Sequence, residues 1–198
     1  MVMAGGRSRR LGIDKTTMPW PPGAADAPGG QTLLGRTAGL LGAACSEVLV
    51  VAYHGARAIP YRVAPDLFPE GGSLGGIYSG LVAAEHEYAL AVATDMPFLS
   101  LPLVRWMLEQ PRDYDVLIPL REEPEPLHAV YSKACLEPMR RRLEAGRLKI
   151  TGFFEDVRVR YVDQGLLTRL DPQGLSFFNI NTPDDLQRAT ELLAQDQR

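Results

Sequence analysis

The sequence predicts a mostly parallel α/β sheet in three layers, with helices on both faces, built as one domain over residues 1–198. Three observations predict it. Strand-length apolar runs alternate with stretches of helical periodicity along the whole chain. One run, "YALAVAT" (88–94), is apolar on both alternating faces, as a parallel strand covered on both sides requires. A glycine-rich turn follows directly on the first short apolar run.

The elements follow in order. Four residues precede Gly5, so the first strand ends at Ala4 and is short for such a sheet; an upstream start or a stub at the sheet centre would each account for it. "PWPPGAADAPGGQ" (19–31) carries four prolines and three glycines and predicts a surface loop without regular structure. Leu33, Leu34, Thr37, Leu40, Leu41 and Ala44 share one face of a helix over Thr32–Ala44, which leads into the β-branched run "EVLVVAY" (47–53). "YRVA" (61–64) is a short strand, and "SLGGIYSGLVAAEH" (73–86) is a helix whose small residues admit close packing. After the central run, Ser100 and Pro102 open a helix to about Gln110, and "DVLIPL" (115–120) is a strand. "LHAVYSK" (127–133), a helix over Ala134–Ala145 and the alternating strand "VRVRYVD" (157–163) follow. Thr182-Pro183-Asp184-Asp185 opens the last helix, with an N-cap hydroxyl, a proline at the first position and carboxylates at the positive end of the dipole.

Composition bounds the chemistry. The net charge of −3 argues against a nucleic-acid surface, where a basic face is expected. No apolar run has the length of a membrane span or a signal peptide, which predicts a soluble cytoplasmic protein without a membrane partner. Cys45 and Cys135 stand far apart with no CxxC spacing; a disulfide and two reduced thiols are both open, and the cytoplasmic setting favours the thiols. Charge is focused at one end: up to Pro22 there are Arg7, Arg9, Arg10 and Lys15 against Asp14 alone.

These cations sit in "MAGGRSRRLGIDK" (3–15), where the chain leaves the first strand. Ligands of open parallel sheets bind at the carboxyl ends of strands. Without a Cβ, Gly5 and Gly6 let the backbone approach a ligand and aim N–H groups at phosphate oxygens, and Arg10 and Lys15 add charge-assisted bonds. A plain glycine turn with a solvated basic run is the alternative. The spacing excludes a Walker A loop, because Lys15 follows Gly12 by three residues, and G-x-G-x-x-G is absent. Asp95 ends the central strand ahead of Pro97, at the edge where a carboxylate suits a magnesium ion or caps a helix. "GGSLG" (71–75) satisfies G-x-S-x-G, and Ser73, Asp95 and His128 follow in hydrolase order. The two prolines of "PDLFPE" before it spoil the strand that a nucleophile elbow needs. His128 on its strand is a packed residue in preference to a base.

The stretch Met3–Lys15 resembles the signature of the MobA-like NTP transferases, [LM]-A-G-G-x-S-x-R-[ML]-G-x-D-K, at every defined position. "PEGGSLGGIYSGL" (69–81) resembles the family's G-P-L-[AG]-G loop, with Ser73 where proline is usual. "ATDMPFLS" (93–100), "PLHAVYSK" (126–133) and "NINTPDDL" (179–186) resemble three further family motifs in the same order. Within the family the similarity is to the molybdenum cofactor guanylyltransferases.

The resemblance implies a Rossmann-like nucleotidyltransferase fold and transfer of GMP from GTP to molybdopterin with release of pyrophosphate, dependent on Mg²⁺. A cytidylyltransferase, another NTP transferase on a phosphorylated acceptor, and a nucleotide-binding module without turnover stay open beside it. It places Met3, Ala4, Gly5, Gly6, Lys15, Asp66, Gly75 and Asp95 at the nucleotide, with Arg10, Lys15 and Asp95 as catalytic residues. It gives the metal to Asp95 and Asn181, with Asn179 the adjacent alternative, and the acceptor's phosphate to Arg147 and Lys149 in "AGRLKITGFFE" (145–155). An Arg-rich helix end is also ordinary dipole complementation. Asp66 could accept from N1–H and N2–H₂ of guanine together or simply turn the chain after Pro65, and the family's asparagine near Val51–Tyr53 is missing here. Guanine selectivity is therefore implied by the resemblance alone, as is transient contact with other cofactor-biosynthesis proteins. Arg7 and Arg9 receive no role.

Overall fold

The order in which apolar residues alternate along each strand explains the layers of this computed structural model, which describes residues 1–5, 14–22, 31–51 and 59–196. Successive strand side chains point to opposite faces, so each apolar-on-both-sides strand feeds two cores. Val2, Val50, Leu90, Val92, Leu117 and Val130 face one core, while Met1, Met3, Leu49, Val51, Ala91, Val116, Ile118, Ala129 and Tyr131 face the other. The strands are β1 Val2–Met3, β4 Leu49–Val51, β5 Arg62–Ala64, β6 Tyr88–Ala93, β7 Val116–Pro119, β8 His128–Ser132 and β9 Val159–Val162. They form one seven-stranded sheet in the order β5-β4-β1-β6-β8-β7-β9.

The pairs β5–β4, β4–β1, β1–β6 and β7–β9 are parallel, and β8 alone runs against both of its neighbours. Helices α1 (Leu33–Gly42), α3 (Leu101–Glu109) and α5 (Gln164–Leu170) cover the first face; α2 (Gly72–Ala83) and α4 (Leu136–Glu144) cover the second. The expected fold class is thus the one observed. Ser100 opens α3 as expected, and Thr32, read as the first helical residue, instead caps α1; their hydroxyls accept from the amides of Leu103 at 3.4 Å and Gly35 at 3.0 Å.

Two expectations need correction. The ends of the Pro/Gly segment are regular: Pro19–Trp20 (β2) and Gln31–Thr32 (β3) form a short antiparallel ladder. Trp20 and Leu33 are buried together, so the segment's ends are anchored by packing that its composition concealed. Helix α5 follows β9 where no expected helix lay; Asp163 caps it by accepting from the Leu166 amide at 2.9 Å. Both thiols are free. Burial pushes the Cys135 thiol up to about 12, and Cys45 is raised for the same reason, so both stay protonated.

The stub β1 lies third in the sheet, with Val2 opposite Val50 and Val92, and Met3 opposite Val51 and Ala93. So short a central strand holds its place through close approach of α2. A Cβ on Gly80 would collide with the Met1 thioether and stand 2.9 Å from Val51 Cγ2; one on Gly76 would stand 3.3 Å from Met3 Sδ. Gly75 is tighter still against rigid atoms, its Cβ site lying 2.6 Å from the Phe68 carbonyl oxygen. Gly39 on α1 faces open space. The same substitution is therefore expected to act with opposite sign at the two positions. Gly75→Ala should destabilise by roughly 1–3 kcal/mol through overpacking. Gly39→Ala should be neutral or stabilise by up to about 1 kcal/mol through helix propensity. Thermal denaturation checks both; a Gly75→Ala melting curve that matches the parent protein would contradict the packing account.

Candidate active site

Parallel pairing of β1 with β6 sets the two chain exits side by side. Ala4 and Gly5 leave one strand as Thr94 and Asp95 leave its neighbour, because Met3 and Ala93 are in register. Thr94 locks this edge: its amide and hydroxyl donate to the Met3 carbonyl at 3.3 and 2.6 Å, and its own carbonyl accepts from the Thr37 hydroxyl at 2.9 Å. The Met3 side chain is buried, Ala4 is half-buried and Gly5 is exposed, so the expected binding rim is reached through its main chain. Gly6 and Arg10, like Arg7 and Arg9, lie outside the described residues.

Asp95 meets a cation there. Lys15 Nζ donates to Asp95 Oδ2 at 2.5 Å and to Asn181 Oδ1 at 2.8 Å. The Lys15 and Asp95 side chains are 18% and 14% exposed, which shields the pair from most of the solvent that weakens surface ion pairs. Asp95 lies two residues past β6, and Lys15 rides a tight turn whose cause is Asp14. The carboxylate of Asp14 accepts from the Thr16 amide at 2.9 Å and the Thr16 hydroxyl at 2.7 Å. Asn181 precedes α6 (Pro183–Asp196), which opens with a reciprocal cap. The Asp185 amide donates to the Thr182 hydroxyl at 3.2 Å, and Asp185 Oδ2 accepts from the amides of Thr182 at 2.8 Å and Asn181 at 2.9 Å. The Asn181 amide bond, with those from Thr182, holds the Asp185 carboxyl below its usual range against the opposing effect of burial. The alternative, Asn179, turns its Nδ2 to the Phe177 carbonyl at 3.1 Å, away from this convergence.

An apolar cluster beneath the triad binds its three segments together. Met18, Trp20, Leu33, Ile180 and Ala189 are buried in it, with Phe98 and Phe178 packed against them. Trp20 meets Phe98 edge-on at 5.7 Å between centroids, and Phe98 meets Phe178 at 5.8 Å. The Ile180 amide donates to the Asp95 carbonyl at 3.1 Å, joining the two outer segments through their backbones. Asp14, Thr94 and Asp185 were not singled out as site residues. Asp14 followed two positions on by Thr16, and the T-x-x-D spacing of Thr182 and Asp185, are the signals that point to two of them.

Asp66 follows β5 at the same edge of the sheet. Its Oδ1 accepts from the Phe68 amide at 3.0 Å and the Ser79 hydroxyl at 3.4 Å, while Oδ2 has no hydrogen bond among the described residues. One oxygen thus serves the turn while the other is not engaged by any described residue. Gly75, buried against Phe68, has a packing reason to be glycine. Lys149 lines a cleft of about 370 Å³ together with the start of α2, Glu123, Pro124, Pro126, Leu148, Ile150 and Thr151, whereas Arg147 is exposed nearby and does not line it.

The Ser-Asp-His order does not assemble a hydrolase. Ser73 sits exposed in the first turn of α2, and Asp95 is paired with Lys15. His128 is fully buried in β8 against Phe177 at 5.0 Å, and neither ring nitrogen has a hydrogen-bond partner among the described residues. Among the described residues, no cluster of three His, Cys, Asp or Glu side chains forms a closed metal cage, and no helix is long and apolar enough to cross a membrane.

The MobA-like NTP transferase domain matches residues 1–158, and so covers every strand through β8 and all but the last of the site's segments. The chain belongs to this family. It is 38% identical over 202 residues to the probable molybdenum cofactor guanylyltransferase of Pelotomaculum thermopropionicum, covering 100% of this chain and 94% of that one. It is 37% identical over 196 residues to the molybdenum cofactor guanylyltransferase of Desulfosudis oleivorans, covering 96% and 92%. The solved structure of molybdopterin-guanine dinucleotide biosynthesis protein A from Archaeoglobus fulgidus superposes with a TM-score of 0.80 at 28% identity, covering 98% of this chain and 97% of that one. As a member of the MobA-like NTP transferases the chain is a nucleotidyltransferase, and the Lys15–Asp95–Asn181 convergence lies at the carboxyl ends of β1 and β6 in its sheet.

His128 carries a prediction independent of catalysis. Burial lowers its pKa from 6.5 to about 4, with the neighbouring Ser176 backbone only partly opposing the shift. The unfolded chain binds a proton near 6.5 that the folded chain refuses until about 4, so this contribution to stability is complete above 6.5 and is lost as pH falls through that window. The loss is expected to reach roughly 3 kcal/mol. Urea denaturation at stepped pH measures it. His128→Leu should flatten the slope between pH 6.5 and 4, and an unchanged slope would remove His128 as its source.

Proposed function

We propose that this chain transfers GMP from GTP to the terminal phosphate of a molybdopterin-type acceptor and releases pyrophosphate. The observation that carries the reading is the meeting of Lys15, Asp95 and Asn181 beside Gly5, at the carboxyl ends of β1 and β6. The names of the relatives support the base and the acceptor; the site supports the reaction class.

The reaction is an in-line displacement. An acceptor phosphate oxygen attacks the α-phosphorus, a new phosphoanhydride bond forms, and the bond to the pyrophosphate leaving group breaks. The attacking phosphate is ionised at neutral pH and needs no general base. Two anions must nonetheless be brought together, so positioning and charge neutralisation are the enzyme's work. Met3, Ala4, Gly5 and Gly6 seat the nucleotide along the end of β1, Arg10 and Lys15 meet its phosphates, and the remaining oxygen of Asp66 takes the Watson–Crick edge of guanine. Gly75 keeps α2 close to this rim. Lys149 approaches the acceptor's phosphate from the cleft beside α2, Arg147 adds positive charge from outside it, and the whole chain works as a single domain in the cytoplasm, handing its product to other cofactor-biosynthesis proteins.

The donor set fits a hard divalent cation. The Asp95 carboxylate and the Asn181 side-chain oxygen already converge on one positive charge, and Mg²⁺ needs few protein ligands when substrate phosphates supply the others. Bound by Asp95 and Asn181, Mg²⁺ would offset the charge of the triphosphate and of the departing pyrophosphate.

Lys15→Ala and Asp95→Ala are each expected to lower pyrophosphate release from GTP by at least about 10²-fold, the usual loss when one preorganised electrostatic partner is removed. Melting curves close to that of the parent protein would show that the fold survives. Retention of full release in either variant would refute the assignment. In thermal-shift assays with Mg²⁺, GTP should stabilise the protein more than CTP, UTP or ATP. A preference for CTP would assign the chain to cytidylyl transfer, an outcome left open because no asparagine near Val51–Tyr53 secures the choice of guanine.

A further inference from the structure

The same two oxygens that fit a divalent cation are held by the protein's own ammonium group. Lys15 Nζ stands 2.5 Å from Asp95 Oδ2 and 2.8 Å from Asn181 Oδ1, so it bridges the charged and the neutral donor at once. Magnesium binds oxygen at about 2.0–2.1 Å. An ion on these two oxygens would occupy the space that Nζ fills, and the two positive charges would repel at contact distance. Neither donor has a rival partner among the described residues: Asp95 makes its ion pair with Lys15 alone, and the Asn181 side-chain oxygen accepts from Lys15 alone.

The surroundings fix the donors and leave the cation free to exchange. Asn181 is held by the Asp185 cap and Asp95 by the Ile180 amide on its carbonyl, while Lys15 reaches them on a flexible four-carbon stem. We infer that Lys15 is an exchangeable counter-ion for the metal seat: the nucleotide-free protein closes the seat with its own ammonium, and a divalent cation enters only when a polyphosphate draws Lys15 away. Metal and nucleotide therefore bind with positive coupling, and the coupling runs through Lys15. The identity of the polyphosphate rests on the nucleotidyltransferase reading; the exchange itself does not.

The test uses Mn²⁺ alone as the probe, on the full-length protein without nucleotide, with bound metal measured by electron paramagnetic resonance and calorimetry. Lys15→Met is expected to bind Mn²⁺ at least tenfold more tightly than the parent protein. Asp95→Asn in the Lys15→Met background should abolish the gain. Lys15→Gln is the second variant, and melting curves establish that each is folded. Mn²⁺ binding in both lysine variants that is no tighter than in the parent would overturn the inference, as would a gain that survives Asp95→Asn. The failure modes separate cleanly from those of the proposed reaction. Tighter Mn²⁺ binding with no pyrophosphate release from any nucleoside triphosphate keeps the exchange and refutes the reaction; normal release with unchanged Mn²⁺ binding does the reverse.

Discussion

A carboxylate at the end of a strand buried on both faces must find a positive charge close by, and the rest of this site is arranged to supply one to Asp95. The charge comes from Lys15, 80 residues away in sequence, and is shared with Asn181, which is 166 residues from the lysine. Local preference cannot deliver three groups across such separations. The sheet brings β1 and β6 together; the Asp14 turn aims the lysine; the Asp185 cap aims the asparagine. The turn and the cap each use a second acidic residue as a backbone acceptor, so Asp14 and Asp185 serve geometry while, among the described residues, Asp95 makes the direct ion pair with the lysine.

The apolar cluster of Trp20, Phe98 and Phe178 converts that arrangement into something rigid. Each ring belongs to one of the segments bearing a triad member, and the rings pack edge-to-face. A shift of any one segment would open contacts to the other two, so the polar distances above are maintained by hydrophobic packing below. This also gives a physical reason for the short β2–β3 ladder. It returns the chain from Trp20 to Leu33, placing both side chains in the cluster regardless of what the intervening residues do.

Much of the fold was legible because the strands are buried on both faces and read as plain apolar runs. The glycine turn, Lys15, Asp95 and Asn181 were legible for a different reason, their match to a family signature. What escaped was set by tertiary packing or by backbone acceptors. The ends of the 19–31 segment looked irregular because proline and glycine dominate its composition, yet Trp20 has a hydrophobic place to go. The direction of β8 was invisible, since an apolar run reads the same in either sense. Asp14 and Asp185 were counted as charges when their work is to accept amide hydrogens. In the same way, Ser73 and His128 match a catalytic order that the fold undoes: one is exposed on a helix, the other sealed beneath Phe177.

His128 and Lys15 show how one sheet edge treats two basic residues in opposite ways. His128 lies opposite Val92 on β6, fully buried, and the apolar surroundings keep it uncharged down to about pH 4. A cation fixed on that strand could not follow a phosphate and would have no partner within the core. Lys15 instead carries its charge on a long stem at the rim, where Asp95 balances it until a stronger anionic partner arrives. Placing the permanent charge on the mobile side chain and the neutral ring on the rigid strand lets the site hold its geometry while its cation moves. For a reaction that must gather two anions and release a third, exchange of cations over fixed oxygens is the useful kind of motion, and the packing beneath confines it to the lysine.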